Sequence, residues 1–168
     1  IVTVGEPMYE EGVTPIVKDR PYTNYRLLKA ISQGVPVKIS DSRPARTNST
    51  NNSLPSLAND GHKWKVWEAM PDNGSLWWEL DMENFYDVER VEISIKSMPD
   101  AAIGISTSLN REDWKQVARG EFKTGRNPEL IYTVSDSSEV RFLRLDFSVE
   151  ELETPLKIGE IEVFSKSN

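Results

Sequence analysis

From residue 76 onward, apolar side chains recur at every second position, a period that fits strands and leaves no room for a helix of any length. Val91, Ile93 and Ile95 alternate with Glu92, Ser94 and Lys96, and Ile103 and Ile105 alternate with small residues. Leu143, Leu145 and Phe147 alternate with Arg144 and Asp146, and Ile161 and Val163 with Glu160 and Glu162. Each such segment predicts a strand with one dry and one wet face. Turn clusters over residues 97–100, 108–113, 123–128 and 135–139 separate them at the short spacing of an all-β sandwich or barrel. Residues 76–82 (LWWELDM) are apolar enough for a strand covered partly on both faces. Residues 35–40 predict another strand, and residues 48–53 (NSTNNS) a polar loop.

The first segment reads differently. Tyr25, Leu28 and Ile31 stand three apart, with Thr23 or Asn24 as N-cap and Gly34 just past the end, which predicts a short helix. Pro7, Pro15 and Pro21 make the preceding stretch an extended connector. The chain therefore divides into a connector with a short helix over 1–34 and a sandwich over 35–168. It begins at Ile1, and we expect it to be part of a longer chain.

Composition narrows the chemistry. The 168 residues contain no Cys and one His, which removes disulfide frameworks, thiolate zinc sites, Cys nucleophiles and multi-histidine metal sites. No apolar run approaches the roughly 18 residues of a membrane span. The formal net charge of −7 argues against nucleic acid and anionic lipid as partners. Glu150, Glu151 and Glu153 lack an apolar pocket nearby and read as a solvated loop. No nucleophile motif surrounds any Ser, and no glycine-rich phosphate loop is present. The chain reads as non-catalytic, with five Trp as the enrichment to explain.

Seven blocks in order carry a resemblance. They are Leu57-Ala-Asn-Asp-Gly61, Trp67, Trp77-Trp-Glu-Leu-Asp81, Val88 to Ile95, Ser106 to Trp114, Val140-Arg-Phe-Leu-Arg-Leu145 and Ile158-Gly-Glu-Ile-Glu-Val163. The series resembles the discoidin family, which comprises the coagulation-factor C-type domains and the family 32 carbohydrate-binding modules. The resemblance covers about residues 35–165. It implies an all-β, two-sheet antiparallel jelly roll of the galactose-binding-like type with eight strands, in agreement with the periodicity. Trp77 and Trp78, adjacent in a strand, must face opposite ways. Trp114 is expected to cap a hairpin core, Trp67 to be structural, and Arg141 and Arg144 to be salt-bridged sheet residues.

The resemblance also implies a Ca²⁺ ion, a hard cation that gathers several oxygens. The matching groups are the Leu57 carbonyl, the Asp60 side chain, the Gly159 carbonyl and the Glu160 side chain. Two further family positions fall on His62 and Lys65, which offer no side-chain oxygen. The competing expectation is an ion-free loop in which the Lys65 ammonium neutralises Asp60 and Glu160.

Sugar-binding relatives stack an aromatic ring on a pyranose face and read hydroxyls with Arg, Asn, Glu or His. The Arg and later Asn of galactose-binding relatives are missing from Ser97-Met-Pro-Asp-Ala101, so galactose specificity does not carry over. The candidate saccharide residues here are Trp64, His62, Arg46, Asn73, Arg126 and Asn127. Trp64 leads, because a Trp within the polar GHKWK string has little local reason to be there. Sequons at Asn48, Asn51 and Asn73 follow from the Asn/Ser-rich composition and count for little.

The first functional expectation is a carbohydrate-binding module, linked to a catalytic or other domain of a secreted glycoside hydrolase or similar bacterial surface protein. Its location would be extracellular, periplasmic or at the cell surface. The alternative is a structural or protein-interaction sandwich that has lost the sugar site. A lipid-binding domain needs apolar spikes ringed by basic residues, which the loops do not supply.

Overall fold

The computed structural model describes residues 35–134, 136 and 138–166. The helix expected over 24–33 lies outside the described residues. Residues Lys38–Lys166 form one compact unit. It contains strands β2 (Ala45–Thr47), β3 (Trp67–Ala69), β4 (Ser75–Ser97), β5 (Ala101–Ser108), β6 (Lys115–Phe122), β7 (Glu129–Thr133), β8 (Glu139–Val149) and β9 (Leu156–Ser165), preceded by the two-residue β1 (Val37–Lys38). One 3₁₀ turn, Pro55–Ala58, joins β2 to β3. The architecture is all-β, and every described pairing is antiparallel.

The segments expected as two strands, 76–82 and 88–96, are one 23-residue strand. Glu83 sits at φ 62° and the register with β8 shifts between Asp81 and Tyr86, so β4 bends there and serves two sheets. Its second half, from Val88, pairs with β9 and β7; β3 pairs with the far side of β9, and together they make the first sheet. The first half pairs with β2 on one side and β8 on the other, and β5 and β6 complete the second sheet in the order β2-β4-β8-β5-β6. Bending a single strand between layers gives the sandwich a covalent hinge.

The alternation read from sequence is the alternation of burial. Val91, Ile93 and Ile95 of the first sheet, and Leu76, Trp78, Leu80, Ile103, Ile105, Leu143, Leu145 and Phe147 of the second, point into one core with Trp67, Ile161 and Val163. Each of these aliphatic side chains contributes about 1.5–3 kcal/mol by leaving water. Trp78 also ties the 3₁₀ turn to the core by donating from Nε1 to the Pro55 carbonyl at 3.0 Å. Trp77 faces outward from the same strand, where the Arg144 guanidinium covers its ring.

Candidate functional site

The loop over residues 59–66 leaves the 3₁₀ turn and is pinned at both ends. Asn59 is buried, and its Nδ2 donates to the carbonyls of Ser40 and Arg43 at 2.8 and 2.9 Å. Asp60 Oδ1 accepts from the His62 amide at 2.9 Å, a local turn that an Asp two residues upstream forms readily. Gly61, at φ +88°, donates its amide to Glu160 Oε2 at 2.8 Å. Opposite, β9 carries a bulge: Ser94 pairs with Glu160 while the next residue, Ile95, pairs with Ile158. The bulge lets Ile158 and Ile161 both stay in the core, and Glu160 sits beneath the loop.

Held this way, the loop presents Trp64 to solvent with 72% of its surface exposed. The His62 ring stacks on the indole at 4.4 Å with 28° between planes. One aromatic face is thus backed by the protein, and the pair forms a small platform. Lys63, between them, reaches Glu129 Oε1 with Nζ at 3.4 Å, which links the platform to the start of β7 and so to the segment holding Arg126 and Asn127.

Beneath the platform lie Asp60 and Glu160. Asp60 Oδ2 and Glu160 Oε1 are buried and accept no hydrogen bond from a described residue. Buried polar atoms are nearly always partnered, so an orphaned carboxylate oxygen on the loop and another on β9 beneath it fit a cation, whether a metal ion or the Lys65 ammonium. Lys65 Nζ is 3.6 Å from Asp60 Oδ2, outside hydrogen-bond reach, and half its side chain is exposed. Burial pushes the Glu160 carboxyl up to about 7, opposed by the Gly61 amide and reinforced by the charges of Asp60, Asp41 and Glu162. Among the described residues no cluster of three His, Cys, Asp or Glu forms a metal site.

The remaining sequence candidates are dispersed. Arg46 lies on the outer face of the second sheet, donating from Nε to Glu79 Oε1 at 3.1 Å. Asn73 and Gly74, with φ of 50° and 81°, are the central residues of a two-residue turn closed by reciprocal Asp72 and Ser75 backbone bonds. Asn-Gly favours such a turn, so the sequence did carry a structural reason for Asn73. Asn127 Oδ1 accepts from the Glu129 amide at 3.0 Å, and Arg126 is exposed in the same loop.

Sequence reasoning missed one cluster on the outer face of the second sheet. The fully buried Glu79 carboxylate takes Arg46 and Arg111 on Oε1 and Arg144 on Oε2. Arg144 lies between the rings of Trp77 and Trp114, at 4.5 and 4.6 Å from their centroids. Trp114 therefore packs on a guanidinium outside the core, a correction to the hairpin-cap expectation; its Nε1 donates to the Arg111 carbonyl at 3.1 Å. Arg141 meets Asp81 with two bonds of 2.8 and 2.9 Å, so both β8 arginines are salt-bridged as expected. No sequence signal pointed to Glu79, because its three partners come from three separate segments.

No family model and no curated protein matches this sequence. Solved structures do. A chitosan-binding module of a chitosanase/glucanase from Paenibacillus sp. IK-5 superposes with a TM-score of 0.65 at 17% identity, over 76% of this chain and 98% of that one. The CBM32 of AlyQ, solved with 4,5-unsaturated mannuronic acid, gives 0.64 at 16% identity over 76% and 98%. A Streptococcus pneumoniae fucose binding module gives 0.60 at 20% identity over 77% and 96%. The chain has the β-sandwich fold of these carbohydrate-binding modules.

Proposed function

We propose that this chain is a non-catalytic carbohydrate-binding module that takes a sugar ring on the Trp64 platform. The observation that carries the reading is a tryptophan held 72% exposed by a pinned loop, backed by His62, on a fold shared with modules whose own ligands are saccharides. Exposing an indole forgoes the burial of its large apolar surface, and a pyranose face restores it. His62 supplies ring nitrogens at the rim, and Lys63 and Arg126 supply cations for hydroxyl or carboxylate groups. Asp60 and Glu160, with the Leu57 and Gly159 carbonyls, would hold a structural Ca²⁺, a charge that would tie the loop to β9. The module works at the cell surface, in the periplasm or outside the cell, linked to a catalytic or other domain such as that of a glycoside hydrolase.

Calorimetric titration against glucosamine, fucosyl and mannuronate oligosaccharides tests the reading. Trp64→Ala is expected to weaken a detected interaction about tenfold or more, equivalent to about 1.4 kcal/mol. Unweakened binding removes Trp64 from the site. The second reading, an interaction sandwich without a sugar site, is favoured by the engagement of Arg46, Asn73 and Asn127 in internal bonds. Absence of binding to every saccharide tested supports it.

A further inference from the structure

A second concave surface lies on the outer face of the second sheet and the loops at its end, and its lining includes no residue of the Trp64 loop. Two adjoining depressions of about 600 and 460 Å³ share Ala102, Glu121 and Ser148 as walls and floor. One opens among the loops around Asp100, Thr124 and Glu150; the other runs onto the sheet over Gly104. Gly104 pairs with Asp146 of β8 on one side and Arg119 of β6 on the other. With no side chain in the middle, those two residues stand as walls about two inter-strand spacings apart, roughly 9–10 Å. Ala102, exposed two residues before, extends the low floor towards the loops.

The charges of the groove are unequal. Its carboxylates belong to Asp100, Glu121, Asp146, Glu150 and Glu151, and its cations are Arg119 and Lys123. Lys123 already faces Asp100 and Glu121 at 3.8 and 3.5 Å. Asp146 accepts no hydrogen bond from a described residue, and burial holds its carboxyl above the usual carboxylate range despite nearby Arg144. Gln116 reaches towards the same floor, its Oε1 standing 3.0 Å from where a Cβ on Gly104 would be. The surface offers a long, shallow floor, hydrogen-bonding side chains along it and uncompensated negative charge.

We propose that this groove binds an oligosaccharide of amino sugars with free ammonium groups, Asp146 and Glu121 pairing with separate amines along the chain. Charge complementarity selects the occupant: a neutral glycan gives Asp146 no cationic partner and leaves the carboxylate excess of the groove in place, and a uronate is repelled. The saccharide identity rests on the reading of the chain as a carbohydrate-binding module, but the site is separate from the Trp64 platform.

The test is calorimetric titration of the full chain with a fully deacetylated glucosamine hexamer, its N-acetylated counterpart and hexalysine, in low and in 0.5 M salt. The glucosamine hexamer is expected to bind, with weakening in salt, and the N-acetylated hexamer to show no Asp146-dependent binding. Asp146→Asn with Glu121→Gln, nearly isosteric changes that keep the hydrogen-bonding side chains, is expected to weaken the glucosamine hexamer at least fivefold with an unchanged melt. Ala102→Phe, which fills the floor without changing charge, should do the same. Trp64→Ala should leave this binding in place, so failure of the platform and failure of the groove are read separately. Glu68→Gln with Glu112→Gln removes equal charge elsewhere; a matching loss there reduces the effect to net charge and overturns the proposal. Undiminished binding in both groove variants overturns it, as does hexalysine binding with the same variant dependence.

Discussion

Arg144 donates to Glu79 Oε2 at 3.0 Å while its guanidinium is sandwiched between Trp77 and Trp114. Arg46 and Arg111 hold the other oxygen of Glu79. The carboxylate is fully buried and is the one negative charge shared by three guanidiniums. Removing it leaves those cations without their common acceptor. Glu79→Ala is expected to lower the unfolding free energy by about 3–5 kcal/mol. Arg46→Ala should cost under about 1 kcal/mol, because half of that side chain is in water. Urea denaturation of both variants checks the contrast, and equal small losses would show the cluster to be a loose surface network.

The Glu160 carboxyl, raised from 4.5 to about 7, sets a pH dependence of a particular sign. Between those values the folded chain keeps a proton that the unfolded chain has released, so stability falls as pH rises through the window. In chelator the melting midpoint should be higher at pH 5 than at pH 7.5. Millimolar Ca²⁺ should raise it at pH 7.5 and do less at pH 5, where a proton competes with the ion. Glu160→Gln should stabilise the chelated protein at pH 7.5 and abolish the response to Ca²⁺. A midpoint unmoved by millimolar Ca²⁺ at pH 7.5 rules out the ion.

What the sequence made legible was whatever depends on alternation within one strand. Ile93, Ile105, Leu145 and Val163 are inward because their neighbours are polar and the pleat has a period of two. The union of 76–82 with 88–96 was hidden, since it turns on a single backbone angle at Glu83 that no side-chain pattern encodes. The Glu79 cluster was hidden for a different reason. Arg46, Arg111 and Arg144 lie far apart in the chain, and only the order of strands in the sheet brings them together. Trp64 was legible as an indole in a polar string, whereas the stacking of His62 on it depends on loop geometry.

The Asn-rich loop, discounted as compositional, is a set of backbone clamps. Asn48 Oδ1 accepts from the Trp77 amide at 2.6 Å and its Nδ2 donates to the Ser75 carbonyl at 3.4 Å, while Asn51 Nδ2 donates to the Glu68 carbonyl at 2.8 Å. Asn48→Ala should therefore cost about 1–3 kcal/mol through the lost partner of a strand amide. Thr50→Val removes the same sequon but only a 3.5 Å bond to Met70, and should cost less. Denaturation midpoints in that order separate a clamp from a glycosylation signal; equal losses would dismiss the clamp.

Gly159 joins the bulge of β9 to the platform above it. A Cβ at this position would lie 2.7 Å from the Lys63 carbonyl oxygen and 3.2 Å from Lys96 Cε. The lysine tip can swing away, but the carbonyl belongs to the backbone that carries His62 and Trp64, so the loop itself must lift. Gly159→Ala is expected to destabilise the sandwich by about 1–3 kcal/mol. Lifting the loop also draws the Gly61 amide from Glu160 and separates Asp60 from β9, so the Ca²⁺ response should shrink together with saccharide binding at Trp64. Melting with and without Ca²⁺, alongside calorimetry, checks all three. A variant with an unchanged melt and an unchanged Ca²⁺ response would mean that the loop rests on β9 without depending on it.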